Sequence, residues 1–179
     1  MSGAELSTAG AELPANAGMA ERAMFAINRA VVAVSMVALV GAALVLTSSV
    51  ASRYLFKAST DWQDESAVFL LVGVTFLCAS WVQQQRGHIG IEAIVGLLPP
   101  AVDRARRLVV DVLSLLFCGF FAWKSWHLLH ESVVDHQTTS SSWAPPLWIP
   151  YGLMTLGMVL LTVQIALQLL VRAKPRAAK

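Results

Sequence analysis

Four long apolar runs divide this chain and restrict what it can fold into. They cover about residues 30–52, 66–85, 108–130 and 147–171. Each run has roughly the 20 residues that a helix needs to cross the hydrocarbon core of a bilayer at about 1.5 Å per residue. Each must be helical, because a helix pairs its own backbone groups where no water can do so. The sequence therefore predicts an all-α integral membrane protein with four transmembrane helices.

The composition supports a single membrane domain. Hydrophobic residues make up 56% of the 179 residues and charged residues only 13%, about half the charged share of a typical soluble domain. The net charge of +2 gives no basic surface for nucleic acid. Cys78 and Cys118 both fall inside apolar runs, where a free thiol acts as a small hydrophobic group. We expect one membrane domain over residues 29–172 and no second folded domain.

Lysine and arginine are distributed unevenly between the two sides of these helices. Two precede the first helix, four lie between the second and third helices and four lie near the C-terminus, whereas the opposite side has only Arg53 and Lys57. Because positively charged loops stay in the cytoplasm, both termini are predicted to be cytoplasmic. Residues 1–28 are predicted to be a flexible segment, and residues 173–179 a basic tail. The first apolar run exceeds the roughly 7–15 residues of a signal-peptide core, which favours a retained helix.

A first polar cluster stands where the second helix begins, on the predicted outward side. Asp64 and Glu65 place negative charge at the positive end of the helix dipole, and residues 59–61 include good N-cap residues. Trp62 fits an aromatic anchor at the membrane surface. Arg53, at the end of the first helix, can pair with Asp64 or with Glu65. Local capping and anchoring explain this cluster, and so does a contact with another protein.

A second polar cluster follows the second helix on the predicted cytoplasmic side. It consists of Arg86, His88, Ile89 and Glu92. Apolar residues at helical spacing continue to the prolines at 99 and 100, which predicts a short amphipathic helix over residues 89–98 lying in the membrane surface. A hydrogen-bonding or interfacial role for His88 is favoured over metal binding or proton transfer.

The third apolar run is the only one with charges inside it. Lys124 lies near its outward end, and Asp111 near the other. An ionisable residue within a membrane helix is a functional candidate by default. We expect Lys124 either to reach the membrane surface by extending its stem or to contact Glu131 or Asp135.

The chain lacks the signatures of catalysis and of common cofactors. It has no phosphate-binding glycine loop, no zinc protease motif, no nucleophile elbow and no CxxC pair. Haem between helices requires facing histidines, and only His127 and His130 lie on a predicted span, both near one end. We therefore predict no catalytic, metal-binding or substrate-binding residue and no cofactor, and expect a partner protein rather than a pump.

The order of the polar and small residues resembles that of a known family, the small permease subunits (DctQ-type) of tripartite ATP-independent periplasmic (TRAP) transporters. The R-Y-x-F motif of that family is matched by Arg53, Tyr54 and Phe56. Its W-x-E-E is matched with Asp64 in place of the first Glu, and its F-L-G-A with Cys78 in place of Gly. The later matches are Arg86, His88, Ile89, Ile91, Glu92, Leu98, Pro99, the segment 146–151 and Gly157. The spacing from the basic residue to His88 is shorter than in the common form of the motif.

The resemblance implies a four-helix subunit that pairs with a large multi-helix permease in the bacterial inner membrane. In that family the large permease holds the substrate and sodium ions and moves like an elevator. A periplasmic binding protein delivers the substrate, commonly an organic acid, and an ion gradient drives uptake without ATP hydrolysis. The small subunit would extend the fixed scaffold.

We therefore expect a non-catalytic scaffold subunit embedded in the lipid bilayer. Its candidate structural or interface residues are Arg53, Tyr54, Trp62, Asp64, Glu65, Arg86, His88, Ile89 and Glu92. One alternative is a free-standing transporter or channel that oligomerises through small residues such as Gly41. Another is a membrane anchor for a redox enzyme.

Overall fold

The computed structural model describes residues 18–57, 59–85 and 100–173. It contains four long helices, which we number α1 (Met19–Phe56), α2 (Asp61–Gln84), α3 (Pro100–Val134) and α4 (Trp148–Ala173). All four are long and apolar enough to cross a membrane. The prediction of an all-α protein with four transmembrane helices is confirmed. The amphipathic helix predicted over residues 89–98 lies outside the described residues.

The helices α1 and α3 are longer than the apolar runs that predicted them. The 38 residues of α1 span about 57 Å at 1.5 Å per residue, well beyond a bilayer core of about 30 Å. It therefore includes residues 19–28, which the sequence assigned to a flexible segment. Tertiary contacts explain the extension, because Met24 and Asn28 are buried against the bundle. The Gly18 N–H also donates to Glu21 Oε2 at 2.8 Å and so satisfies an unpaired donor at the helix start.

The helices pack in the spatial order α1–α2–α4–α3, so that α2 and α4 lie in the middle. The buried seam of α1 is made of small or polar residues seven positions apart. These residues are Asn28, Ser35, Ala42 and Ser49. A seven-residue repeat keeps one face of a helix against its partner in a left-handed crossing, and small side chains let membrane helices approach closely.

The crossing of α2 and α4 depends on glycines. A Cβ atom on Gly157 would lie 2.5 Å from both the carbonyl carbon and the oxygen of Phe76 in α2. A Cβ on Gly73 would lie 3.1 Å from Leu153 Cδ1. Only hydrogen fits at Gly157, because the neighbour there is backbone. The two backbones therefore touch at this point.

The connection between α3 and α4 is an ordered loop. The Thr139 N–H donates to the Pro145 carbonyl at 3.1 Å, and the Leu147 N–H donates to the Gln137 carbonyl at 3.0 Å. Two non-glycine residues, His136 and Ala144, adopt positive φ to make the turns. Trp143 and Trp148, at this end of the bundle, are half exposed, as expected for aromatic residues at a membrane surface.

Candidate functional site

The polar residues of the bundle form two layers, one near each end. The first, which we call the Asp64 layer, joins α1 to the start of α2. Arg53 Nη2 donates to Asp64 Oδ2 at 2.7 Å, and Ser49 Oγ donates to Asp64 Oδ1 at 2.7 Å. Of the two acids that the sequence offered to Arg53, the structure pairs Asp64. The side chains are 59% and 46% exposed, so this ion pair stabilises by at most about 1 kcal/mol.

The same layer explains how α2 begins. Thr60 is the N-cap residue, but its side chain makes no capping hydrogen bond. Its hydroxyl instead accepts from Arg53 Nη2 at 2.9 Å. Asp61, the first residue of α2, accepts at Oδ2 from Ser59 at 3.1 Å and from Ser142 at 2.8 Å. The second of these bonds attaches the α3–α4 loop to the start of α2.

The other three residues predicted at this end of the bundle are not part of the hydrogen-bond network of Arg53 and Asp64. Tyr54 and Trp62 are both exposed, Tyr54 by 86% and Trp62 by 51%. Glu65 is partly buried, and its Oε2 atom has no hydrogen-bond partner within the described part of the chain. The structure thus brings Arg53 and Asp64 together and leaves two aromatic side chains on the surface.

The second layer, which we call the Asn28 layer, joins three helices. Asn28 of α1 is only 1% exposed. Its Nδ2 donates to Gln84 Oε1 of α2 at 2.7 Å and to Gln164 Oε1 of α4 at 3.2 Å. Ser80 Oγ donates to Asn28 Oδ1 at 2.9 Å. One asparagine therefore fixes the relative rotation of α1, α2 and α4.

A pair of glutamines extends this layer. Gln83 Nε2 donates to Gln168 Oε1 at 3.1 Å, and Gln168 Nε2 donates to the Gln83 carbonyl at 3.1 Å. None of the amides in the layer was singled out by the sequence analysis. The signal was present, because an amide within an apolar helix has to find a hydrogen-bond partner away from water.

The distance between the two layers matches a bilayer. Ser49 and Asn28 are 21 residues apart on α1, and Asp64 and Gln84 are 20 residues apart on α2. At 1.5 Å per residue both separations are about 30 Å, the thickness of the hydrocarbon core. The separation therefore equals the thickness of a bilayer core, and the segment between the layers is packed by small and apolar residues.

The second predicted cluster, Arg86, His88, Ile89 and Glu92, lies outside the described residues. Within residues 18–57, 59–85 and 100–173, no three His, Cys, Asp or Glu side chains are grouped so that they could hold a metal ion. Cys78 and Cys118 are free thiols. Both layers hold helices together through hydrogen bonds.

The contact of Lys124 with Glu131 or Asp135, one of the two alternatives predicted for this residue, is not found among the described residues. The Lys124 ammonium lies over the Trp123 ring instead, 5.1 Å from its centroid, and the ion pair found in the described residues is Arg53–Asp64. The helix continues through this region to Val134. Its axial rise carries Glu131 and Asp135 away from Lys124.

Comparisons with known proteins identify relatives of most of the bundle. The family model "Tripartite ATP-independent periplasmic transporters, DctQ component" matches residues 42–174. The C4-dicarboxylate TRAP transporter small permease protein DctQ of Vibrio cholerae is 26% identical over 155 residues, covering 73% of this chain and 67% of that protein. A Haemophilus influenzae protein described as a TRAP transporter small permease is 24% identical, covering 82% of this chain and 86% of its own length.

A third relative has a different organisation. The isethionate TRAP transporter permease protein DctMQ of Oleidesulfovibrio alaskensis is 25% identical over 108 residues. The match covers 60% of this chain but only 17% of that longer protein. No solved structure matches the chain significantly.

Proposed function

Since the chain belongs to the DctQ-component family of TRAP transporters, and is therefore a small permease subunit of the bacterial inner membrane, we propose that it acts as a rigid scaffold for the large permease. The large permease is the partner to which the DctMQ relative points, because its name joins the two components in one chain. Uptake by the assembled transporter is driven by an ion gradient and supplied by a periplasmic binding protein. The transported solute is an organic acid, the class to which C4-dicarboxylates and isethionate, named for two relatives, both belong.

The observation that carries this proposal is that the polar side chains inside the bundle hydrogen-bond to one another. Asn28, Ser80, Gln84 and Gln164 hydrogen-bond to one another across three helices. They are therefore committed to structure and are not presented to a solute. A bundle locked at both membrane surfaces resists tilting, which suits a support for a moving partner.

The predicted site residues receive roles within this proposal. With both termini in the cytoplasm, Arg53, Tyr54, Trp62, Asp64 and Glu65 organise the periplasmic side. The α3–α4 loop on that side is available to the binding protein. On the cytoplasmic side the proposed organisers are Arg86, His88, Ile89 and Glu92, with residues 89–98 as an in-plane brace.

The test is co-purification of the tagged chain with the multi-helix membrane protein encoded beside it. A stable complex supports the scaffold, whereas a chain that purifies alone as a defined homo-oligomer supports the free-standing transporter. Trp62→Ala and Glu65→Ala should lower complex yield or uptake while the chain still inserts.

The matched control is Trp148→Ala, because Trp148 is 49% exposed and Trp62 is 51% exposed. Equal losses from the two tryptophan variants would indicate only that a membrane-surface anchor was removed. Normal yield and normal uptake in both Trp62→Ala and Glu65→Ala would contradict the assigned role.

A further inference from the structure

The outer surface of α3 carries a continuous cluster of aromatic rings. The ring centroids of Phe117 and Phe121 are 4.7 Å apart, those of Phe120 and Phe121 5.9 Å, and those of Phe120 and Trp123 6.3 Å. The Trp123 ring also meets His127 edge-on at 5.0 Å. All of these side chains are exposed, because α3 lies at one end of the row of helices and packs mainly on α4. We call Phe117, Phe120, Phe121, Trp123, Lys124 and His127 the α3 face.

The α3 face contains a cation inside the membrane span. The apolar span of α3 is Leu108–Val134, so Lys124 lies about 15 Å from its outward end, deeper than the sequence analysis placed it. A methyl group on Gly119 would contact Thr162 at 4.0 Å, and one on Gly152 would contact Leu129 at 3.9 Å. This antiparallel register of α3 and α4 places Lys124, midway between residues 119 and 129, opposite Gly157.

The contact of Gly157 with α2 then fixes the depth of Lys124. Gly157 touches Phe76, which is 12 residues beyond Asp64 and eight before Gln84. At 1.5 Å per residue, Phe76 lies about 18 Å from the Asp64 layer and about 12 Å from the Asn28 layer.

A charge at that depth needs a partner. An ammonium without a negatively charged partner is unfavourable inside a bilayer. No carboxylate pairs with Lys124 in the described residues, and Glu131 and Asp135 are both out of reach. Its four-carbon stem covers only part of the distance to either membrane surface. The aromatic ring beneath the ammonium offsets part of this cost but supplies no negative charge.

The opposite edge of the bundle is formed by α1, whose described membrane-spanning part is mainly aliphatic. The outer surface of α1 presents exposed aliphatic residues such as Val34, Val37 and Leu44. Lipid tails can cover such an aliphatic surface completely, because it has no charged or polar group that needs a partner. Each edge also has a shallow groove. Leu113, Ser114 and Phe117 help to line the one on the α3 face, and Val50, Arg53 and Tyr54 line the one on α1.

We propose that the α3 face is the surface on which the large permease docks, and that a transmembrane helix of the permease places a carboxylate against Lys124. This inference rests on the proposed function, since it requires that the complex exists. Charge complementarity identifies the partner helix as one with an acidic residue near mid-membrane. The aromatic rings around Lys124 then pack against the partner helix in place of lipid.

The first test is photocrosslinking in membranes that contain the assembled complex. A photoreactive phenylalanine analogue replaces Phe120 on α3 or Val34 on α1, which are 52% and 65% exposed. We expect a crosslink to the large permease from position 120 and at least fivefold less from position 34. If the complex forms but position 120 gives no crosslink, or position 34 gives the stronger one, this inference is overturned and the scaffold proposal survives. If the wild-type chain captures no large permease, the proposed function itself fails.

The second test concerns the charge. Lys124→Met should lower the yield of complex at least fivefold, because it leaves the carboxylate of the permease buried and unpaired. The thermal stability of the isolated chain should stay the same or rise, since a membrane-exposed charge is removed. The matched control is Lys57→Met, in the loop between α1 and α2. An unchanged complex yield for Lys124→Met, or equal losses of complex yield and chain stability, would overturn the docking role.

Discussion

Replacing Gly157 by alanine should force α2 and α4 apart. The added Cβ would lie 2.5 Å from the backbone carbonyl of Phe76, which cannot rotate away as a side chain can. Restoring an ordinary contact of about 3.5 Å needs a separation of about 1 Å, and a gap of that size forfeits a quarter to a half of each dispersion contact. It would also lengthen the bond from Ser80 Oγ to the Leu160 carbonyl, now 3.3 Å.

The net loss of stability should be about 2 kcal/mol. Overpacking a close contact costs roughly 1–3 kcal/mol, and a clash with backbone belongs at the upper end of that range. The higher helix propensity of alanine offsets up to about 1 kcal/mol of this loss of stability. For a chain of this length, a loss of about 2 kcal/mol lowers the melting temperature by about 4–8 °C.

The assay is thermal unfolding of the purified chain in detergent. Unfolding is monitored through the labelling of the chain's own cysteine thiols. Cys78 and Cys118 are free and partly buried, so a thiol-reactive dye reports when the helices separate. Cys78 lies two residues from Phe76 and is therefore sensitive to this crossing.

Three other glycines provide graded controls. A Cβ on Gly73 meets only the end of the Leu153 side chain, at 3.1 Å, one on Gly152 makes an ordinary contact of 3.9 Å, and one on Gly41 meets nothing within 4 Å. The loss should therefore fall in the order Gly157, Gly73, Gly152 and Gly41, with the last close to zero or slightly stabilising. A melting temperature for Gly157→Ala within 1 °C of wild type, or a larger loss for Gly73→Ala, would refute the reasoning about backbone contact.

Three further predictions concern the polar layers and the topology. Asn28→Ala should destabilise the chain by about 1–3 kcal/mol in the same thermal assay, because it leaves buried amide oxygens without their donor, whereas Ser48→Ala, which removes only an exposed local bond, should have no measurable effect. In a double-mutant cycle of Arg53→Met and Asp64→Asn, the coupling energy should stay below about 1 kcal/mol, as expected for a half-exposed pair, and a larger value would mean that the pair is shielded from water. A cysteine at Ser142, in a variant without other thiols, should react with a membrane-impermeant maleimide from the periplasmic side, and labelling only after the inner face is opened would reverse the proposed topology.

The sequence by itself determined the number and the approximate positions of the membrane helices. Apolar length decides this, because a bilayer fixes how many residues a helix needs to cross it. The sequence also narrowed the partners of Arg53 to two acids. It could not choose between them, because Asp64 and Glu65 project about 100° apart on a helix with 3.6 residues per turn, and only the packed position of α1 selects one direction.

The lateral arrangement of the helices was decided by tertiary structure alone. In a soluble helix the apolar stripe shows which face is buried, but in lipid a large apolar side chain is equally stable facing lipid or protein. The inner faces here are marked instead by small and polar residues, such as the repeat from Asn28 to Ser49 on α1. That repeat shows which face of α1 is buried and does not show which helix covers it. Three features depend on two or three helices at once: the pairing of Asn28 with Gln84 and Gln164, the backbone contact at Gly157, and the depth of Lys124. The order of residues along the chain therefore could not determine them.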